Sequence, residues 1–331
     1  MPNINRRALL GGAAATTVLA AAAAHAQSDV MKAGPNLQGK SILITGTSSG
    51  FGRLAAEDYA RKGAKVFATM RNLPRTEATE LDALAKAEDL DLHVIEIDVL
   101  DDAQVAAGVA DAEKIAGGAI DVLINNAGIS TAGPVEIQDM EATKLLFDTN
   151  VYGPQRLMRA VLPGMRAAKS GQIFNVTSQL GRVVIPAFGQ YSPTKFALEA
   201  MSEQLAYELV PHGIDVTIIQ PGGYPTEIWA NANALTQKLL DRAAEKHLNG
   251  YSALVEQLRM RTNNGGSTDP MDVPNAMADI IAMPAGTRPL RKEVHPGAKP
   301  QIAINEVSAK TQVGWLGDTP YGPWIKAVHN V

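Results

Sequence analysis

The sequence predicts an α/β fold: a doubly wound parallel sheet in a single domain, followed by a C-terminal extension. Three observations carry this. Strand-like and helix-like segments alternate along most of the chain. The strand-like runs are continuously apolar, as strands covered on both faces are, rather than alternating. A glycine-rich turn joins the first run to the helix behind it.

The first strand is "KSILITG" (40–46), followed by "TGTSSGFG" and a helical pattern from Arg53 to Arg61. Next come "AKVFATM" (64–70), a helix near 76–87, "DLHVIEID" (91–98), a helix near 102–116 and "IDVLINN" (120–126). A long helical region between 139 and 168 leads to "GQIFNVTS" (171–178), a helix from about 190 to 210 and "IDVTIIQPG" (214–222). This places one domain at 37–290, with a segment of about 223–270 expected to cover the substrate. The extension, 291–331, is rich in Pro and Gly, and Pro289 just ahead of it argues that any strand there is an edge strand. Trp315, Tyr321 and Trp324 are expected to pack back over the domain or across a subunit interface.

Composition excludes several function classes. The 331 residues contain no cysteine, which removes disulfides, thiolate zinc sites and cysteine nucleophiles. The six histidines form no close pair at ligand spacing, so no metal site is expected. A net charge of −4 gives no reason to expect nucleic acid or an anionic membrane as partner.

Residues 1–26 read as an export signal rather than as part of the fold. Arg6-Arg7 precedes an Ala/Gly-rich, weakly apolar run, and Ala24-His25-Ala26 has the pattern of a cleavage site. The paired arginines resemble a bacterial twin-arginine signal, which implies the export machinery as a partner, cleavage after Ala26 and a periplasmic location. Asn5 and Leu9 depart from that signal's usual residues, and a cytoplasmic enzyme is the alternative. Residues 27–36 form a linker.

In "TGTSSGFG", Gly46, Gly50 and Gly52 stand between strand and helix, with Ser48, Ser49 and Phe51 among them. Glycines there permit a tight turn and close approach of a pyrophosphate, which the helix N-terminus then attracts. The strand-before and helix-after context strengthens the nucleotide-binding reading.

The spacing Thr45-Gly46-x-x-x-Gly50-x-Gly52 resembles the TGxxxGxG turn of the short-chain dehydrogenase/reductase family, whose members have a Rossmann fold. Further motifs follow in the family's order: "NNAG" at Asn125 to Gly128 (with Ala127), Asn150 in "NVYG", Ser178 at the end of the fifth strand, and Tyr191 with Lys195 as Tyr-x-x-x-Lys. Pro221-Gly222 with Thr226 resembles the family's PGxxxT segment. The likeness spans about residues 37 to 230. It implies a carbonyl/alcohol oxidoreductase with Asn150, Ser178, Tyr191 and Lys195 as catalytic residues, and commonly a homo-oligomer. Asp98 and Val99 match the adenine-side positions.

Two side-chain types sharpen the cofactor expectation. The second strand ends "VFATMRN", so Met70 stands where an NAD enzyme usually has an acid that bonds the ribose 2′-OH. Arg71 follows it, and a guanidinium can pair with a 2′-phosphate, so NADP is expected over NAD. Tyr191 is the expected proton donor, with Lys195 one helical turn away lowering its pKa. By resemblance, Lys195 also bonds the nicotinamide ribose, Ser178 orients the substrate oxygen, and Asn150 holds a water that links Lys195 to solvent. Pro193, unusual between the pair, is tolerated if the helix starts near Gln190.

For the substrate, Tyr224, Ile228 and Trp229 are expected as an apolar lid, with Val183, Val184, Ile185 and Phe188 adding to the wall. This points to a medium-sized apolar ketone, aldehyde or secondary alcohol. A non-catalytic NADP-binding sensor with the same fold is the competing reading, disfavoured by the intact set of four polar residues.

Overall fold

Every residue of the first strand, β1 (Ser41–Thr45), is buried, which is what a central strand with helices on both faces requires. Its side chains divide between two cores. Ile42 and Ile44 pack with Ala55 and Tyr59 of helix α1 (Gly50–Arg61), Leu81 of α2 (Thr76–Glu88) and Met277 of α10 (Asp272–Ala282). Leu43 points the other way, toward Val105 and Val109 of α3 (Asp102–Ala116) and Leu157 and Val161 of α5 (Gly153–Ala168). This parity comes from the two-residue repeat of a strand. Each fully buried Leu or Ile contributes about 1.5–3 kcal/mol.

The computed structural model describes residues 34–261 and 265–331. The export signal expected at 1–26 lies outside them, as does most of the linker. Leu37–Val331 forms one compact unit. Its parallel sheet has the order β3-β2-β1-β4-β5-β6-β7, with β2 at Lys65–Met70, β3 at Leu92–Glu96, β4 at Val122–Asn125, β5 at Gly171–Val176, β6 at Ile214–Pro221 and β7 at Arg291–Val294. The order reverses between β1 and β4, where open α/β sheets hold their ligands.

Three boundaries differ from the sequence reading. The long helical region at 139–168 is interrupted: α4 (Met140–Phe147) and α5 flank a wider π-type turn, Asp148–Tyr152. Helix α1 begins at Gly50, three residues earlier than its hydrophobic pattern suggests. The sheet also continues past residue 290, because β7 pairs in parallel with β6 from Ile218↔Arg291 to Pro221↔Val294. As Pro289 implied, β7 is an edge strand. Helices α11 (Gln301–Leu316) and α12 (Gly322–His329) follow it. Trp315 is 72% exposed and Tyr321 also faces outward, so these two do not pack back over the domain; Ile325 does. Among the described residues, no helix is long and apolar enough to cross a membrane.

Candidate active site

At the C-terminal edge of the sheet a cleft of about 600 Å³ runs from the glycine-rich turn to the start of helix α6 (Tyr191–Leu209). Its size suits a bound small molecule. Gly46 has φ +72, in the left-handed region that glycine tolerates. A methyl group on Gly52 would fall on the Gly46 carbonyl oxygen and 2.5 Å from Asn126 Nδ2. Gly52 therefore does not line the cleft; it makes room for the turn that does. Gly52→Ala is expected to destabilise the fold by about 1–3 kcal/mol through overpacking and to weaken dinucleotide binding. Thermal melts and a fluorescence titration with NADPH check both; unchanged binding would contradict the role given to this contact.

The turn is pinned by Asn126, to which the motif reading gave no role of its own, and by Thr45. Asn126 Nδ2 donates to the carbonyl oxygens of Thr45 (2.9 Å) and Gly46 (3.2 Å). Thr45 Oγ1 accepts from the backbone N–H groups of Asn126 and Ala127, both at 3.0 Å. Asn125, expected at the cofactor, is turned away from the cleft. As the last residue of β4 its side chain points into the protein and donates to Asn175 Oδ1 at 2.8 Å. Strand parity decides between the two asparagines.

Of the other expected cofactor residues, Gly46, Ser48, Ser49, Gly50, Phe51, Arg71, Asp98, Val99, Ala127, Gly128, Pro221, Gly222 and Thr226 line the cleft, as do Ser178, Tyr191 and Lys195. Arg71 is half-exposed on the rim with its Nη1 4.0 Å from Asp98 Oδ2, leaving most of its fork available.

Helix α6 begins at Tyr191, with Gln190 as its cap residue. Pro193 thus falls in the first turn, where no backbone N–H is missed. The start of the helix is braced from outside. Gln138 Oε1 accepts from Gln190 N–H (3.3 Å) and from Thr131 Oγ1 (3.1 Å), and Gly133 N–H donates to the Ala187 carbonyl (2.8 Å).

Tyr191 is 8% exposed and Lys195 5%. Lys195 Nζ lies 5.7 Å from the Tyr191 ring centroid and donates to the Val176 carbonyl at 3.0 Å. Ser178 Oγ accepts from Leu180 N–H at 3.0 Å, which leaves the hydroxyl proton free to point at the phenol or a ligand. Burial pushes the Tyr191 phenol up to about 12, against the pull of the Ser178 hydrogen bond. The expected lowering by Lys195 is not seen: burial raises the phenol, and the group that opposes it is Ser178. Burial also brings Lys195 down to about 8, opposed by the Glu199 carboxylate. Tyr191 therefore keeps its proton at neutral pH beside a charged lysine.

Asn150 sits in the π-type turn, a geometry that recurs at functional sites. Its Oδ1 accepts from Ile129 N–H (2.9 Å), and its Nδ2 donates to Ile129 O (2.9 Å) and Thr194 Oγ1 (3.1 Å). It lies behind the cleft wall rather than on it. A Cβ added to Gly128 would sit 3.3 Å from Asn150 Oδ1 and 3.7 Å from Lys195 Nζ, so the two groups converge at that glycine.

Helix α7 (Ile228–Arg242) closes the far side. Thr226, just before it, lies 3.3 Å from where a Gly50 Cβ would stand; Thr236 Oγ1 accepts from Ala132 N–H at 2.9 Å; Arg242 pairs with Asp139 at 2.5 Å. The hydrogen bond and the ion pair fix its course. Ile228 and Trp229 face the cleft, together with Ile185 and Phe188. The Arg261 guanidinium lies over both aromatic rings, 5.2 Å from Phe188 and 5.7 Å from Trp229, and holds them in place. Tyr224 also borders the cleft but is a packed residue, edge-on to Phe51 and His295 with its hydroxyl on Asp272. Val183 and Val184 do not reach the cleft, and Val184 is 72% exposed.

Comparison with known proteins agrees with this geometry. The family model "short chain dehydrogenase" matches residues 40–237. The mitochondrial D-beta-hydroxybutyrate dehydrogenase of Mus musculus is 36% identical over 260 residues, covering 73% of this chain and 74% of that protein. Retinol dehydrogenase 8 of Homo sapiens is 31% identical over 275 residues, covering 82% and 86%. The crystal structure of a short-chain dehydrogenase from Streptomyces avermitilis superposes with a TM-score of 0.65 at 30% identity, covering 83% of this chain and 96% of that one.

Proposed function

The chain belongs to the short-chain dehydrogenase family of NAD- or NADP-dependent oxidoreductases, and from that premise we propose that it interconverts a carbonyl and an alcohol with NADP. The observation that carries this reading is the buried trio of Ser178, Tyr191 and Lys195 at one end of a cleft whose other end is the glycine turn. The turn's lack of room for side chains at Gly46 and Gly52 fits a dinucleotide pressed against the backbone.

When bound, the nicotinamide supplies or accepts the hydride. The chain does the rest. Ser178 donates its free hydroxyl proton to the substrate oxygen and orients it. Tyr191, still protonated at neutral pH, delivers its proton to that oxygen during reduction and takes it back during oxidation. Lys195 holds a positive charge beside the phenol as the proton leaves. Asn150 fixes the segment at Ile129 and, with Gly128, the space in front of the lysine.

NADP preference rests on Met70 and Arg71 at the end of β2. A charge-assisted bond to a 2′-phosphate is worth about 1.5–3 kcal/mol. Arg71→Ala is therefore expected to reduce kcat/KM with NADPH by roughly 10- to 100-fold, with little change for NADH. Equal or better turnover of the wild type with NADH would overturn the preference.

The substrate proposed is a medium-sized apolar ketone, aldehyde or secondary alcohol, on the strength of the wall formed by Ile185, Phe188, Ile228 and Trp229. Both relatives are named as dehydrogenases of hydroxyl compounds, one of them for retinol. A panel of such ketones followed by NADPH absorbance tests this part of the proposal. Export to the periplasm remains part of it too, carried by Arg6-Arg7 and Ala24-His25-Ala26. Replacing both arginines with lysine should retain the protein inside the cell, as fractionation would read.

A further inference from the structure

Helix α6 presents Lys195, Glu199, Glu203 and Tyr207 at successive four-residue steps, which stacks them in one stripe. All four are buried, Glu199 to 1% exposed. Buried carboxylates need partners, and here the charged partner they share, Arg291, comes from beyond residue 290. Glu199 Oε1 accepts from Thr177 Oγ1 and Gln220 Nε2, each at 2.8 Å, and its Oε2 accepts from Arg291 Nε at 2.9 Å. Arg291 also donates to Glu203 Oε2 at 2.5 Å. Glu203 Oε1 accepts from the Tyr207 hydroxyl at 2.5 Å, and that hydroxyl meets His329 Nε2 at 2.8 Å. Asn305 of α11 donates to both Gln220 Oε1 (2.8 Å) and Glu293 Oε1 (2.6 Å).

We propose that Glu199, clamped by Arg291 of β7, is a positioning residue for Lys195, so that the C-terminal strand and helices set the charge state of the lysine. This rests on the reading of Lys195 given above. Glu199 lies one helical turn from Lys195 and is the carboxylate that opposes the desolvation of the ammonium. Arg291 opposes Glu199 in turn. The other charged or titratable groups facing this stripe are Tyr191 on the same helix, Arg182 after β5, Glu293 on β7 and His329 on α12. Arg182 adds positive charge near Arg291, and burial holds the His329 imidazole below its ordinary value. Glu199 is thus the carboxylate whose charge acts on Lys195, and it is itself paired with Arg291.

The test is an NMR pH titration of full-length protein labelled with [¹³C]lysine, the Lys195 signal assigned by its loss in Lys195→Met. In Glu199→Gln, which preserves shape and removes the charge, the Lys195 midpoint should fall by about one pH unit. In Arg291→Met, which leaves both glutamates, the midpoint should rise by a similar amount. A purely structural role predicts no such opposed movement. Glu199→Asp, which keeps the charge, should return the midpoint most of the way to wild type. Midpoints unmoved in Glu199→Gln would overturn the proposal, and so would a shift in the same direction in both charge-removing variants. Should Arg291→Met not fold, Glu199→Gln against Glu199→Asp still decides. The alkaline limb of the NADPH turnover profile should move with the midpoint. Absence of turnover in the wild type would instead count against the proposed activity, and the titration would still decide the role of Glu199.

Discussion

Tyr191→Phe is expected to lower kcat by roughly 10²- to 10⁴-fold, the contribution of a positioned general acid, while the dissociation constant for NADPH changes by no more than about twofold. The substitution removes one oxygen and nothing else from a side chain that packs beside Phe188 at 6.4 Å between ring centroids. Its ring stays in place, so the cleft keeps its shape and the glycine turn, at the opposite end, is untouched. What it removes is the proton donor proposed above. The phenol, pushed up to about 12, is protonated at every pH where the protein would be assayed, and Ser178 hydrogen-bonds to it. Asp98 and Glu227 line the cleft, but Asp98 follows β3 and Glu227 stands just before α7. The measurement pairs steady-state turnover with a binding titration on the same preparation. Turnover within tenfold of wild type would remove Tyr191 from the mechanism. A loss of NADPH binding would mean that the tyrosine holds the cofactor rather than the proton.

The sequence was most informative where chemistry depends on near neighbours. The turn glycines, the four-residue step from Tyr191 to Lys195 and the helix start demanded by Pro193 are local relations, and the structure reproduces each one. It was less informative where distant segments meet. Nothing local distinguishes Asn125 from Asn126; only the end of β4 at Asn125 and the parity of the strand send one inward and the other to the turn. The π-type turn at Asp148–Tyr152 was masked by a continuous helical pattern, though Gly153-Pro154, which restarts the helix, marks its end. Strand β7 reads "RKEV", too polar for a buried strand, because Arg291 and Glu293 face an ionic network and not an apolar core. Two acids of α6, Glu199 and Glu203, look like surface residues until Arg291, 92 and 88 positions away, supplies their partner.

The same burial that tunes Lys195 predicts a trade between stability and function: Lys195→Met should abolish turnover yet make the protein more stable at neutral pH. Desolvation brings the lysine from its ordinary 10.5 to about 8, a difference worth about 3 kcal/mol at 1.36 kcal/mol per pH unit. The direction follows from proton counts. Between pH 8 and 10.5 the unfolded chain binds more protons at this site than the folded one, so this site's contribution to wild-type stability rises with pH across that window. Below pH 8 both states are protonated and the folded state carries the whole penalty of a buried ammonium. Methionine fills nearly the same volume without charge and removes that penalty. It also forfeits the hydrogen bond to the Val176 carbonyl, which offsets about 1 kcal/mol. The net expectation is a variant about 2 kcal/mol more stable at pH 7, with the gap closing as pH rises from 8 to 10.5. Tyr191, pushed up to about 12, keeps its proton across this window in the folded state of both proteins and so drops out of the difference. Urea unfolding at a series of pH values measures the gap directly. A variant no more stable than wild type at pH 7, or a gap independent of pH, would show that the ammonium is better solvated or better paired than its burial implies. The lysine would then be an ordinary member of the fold.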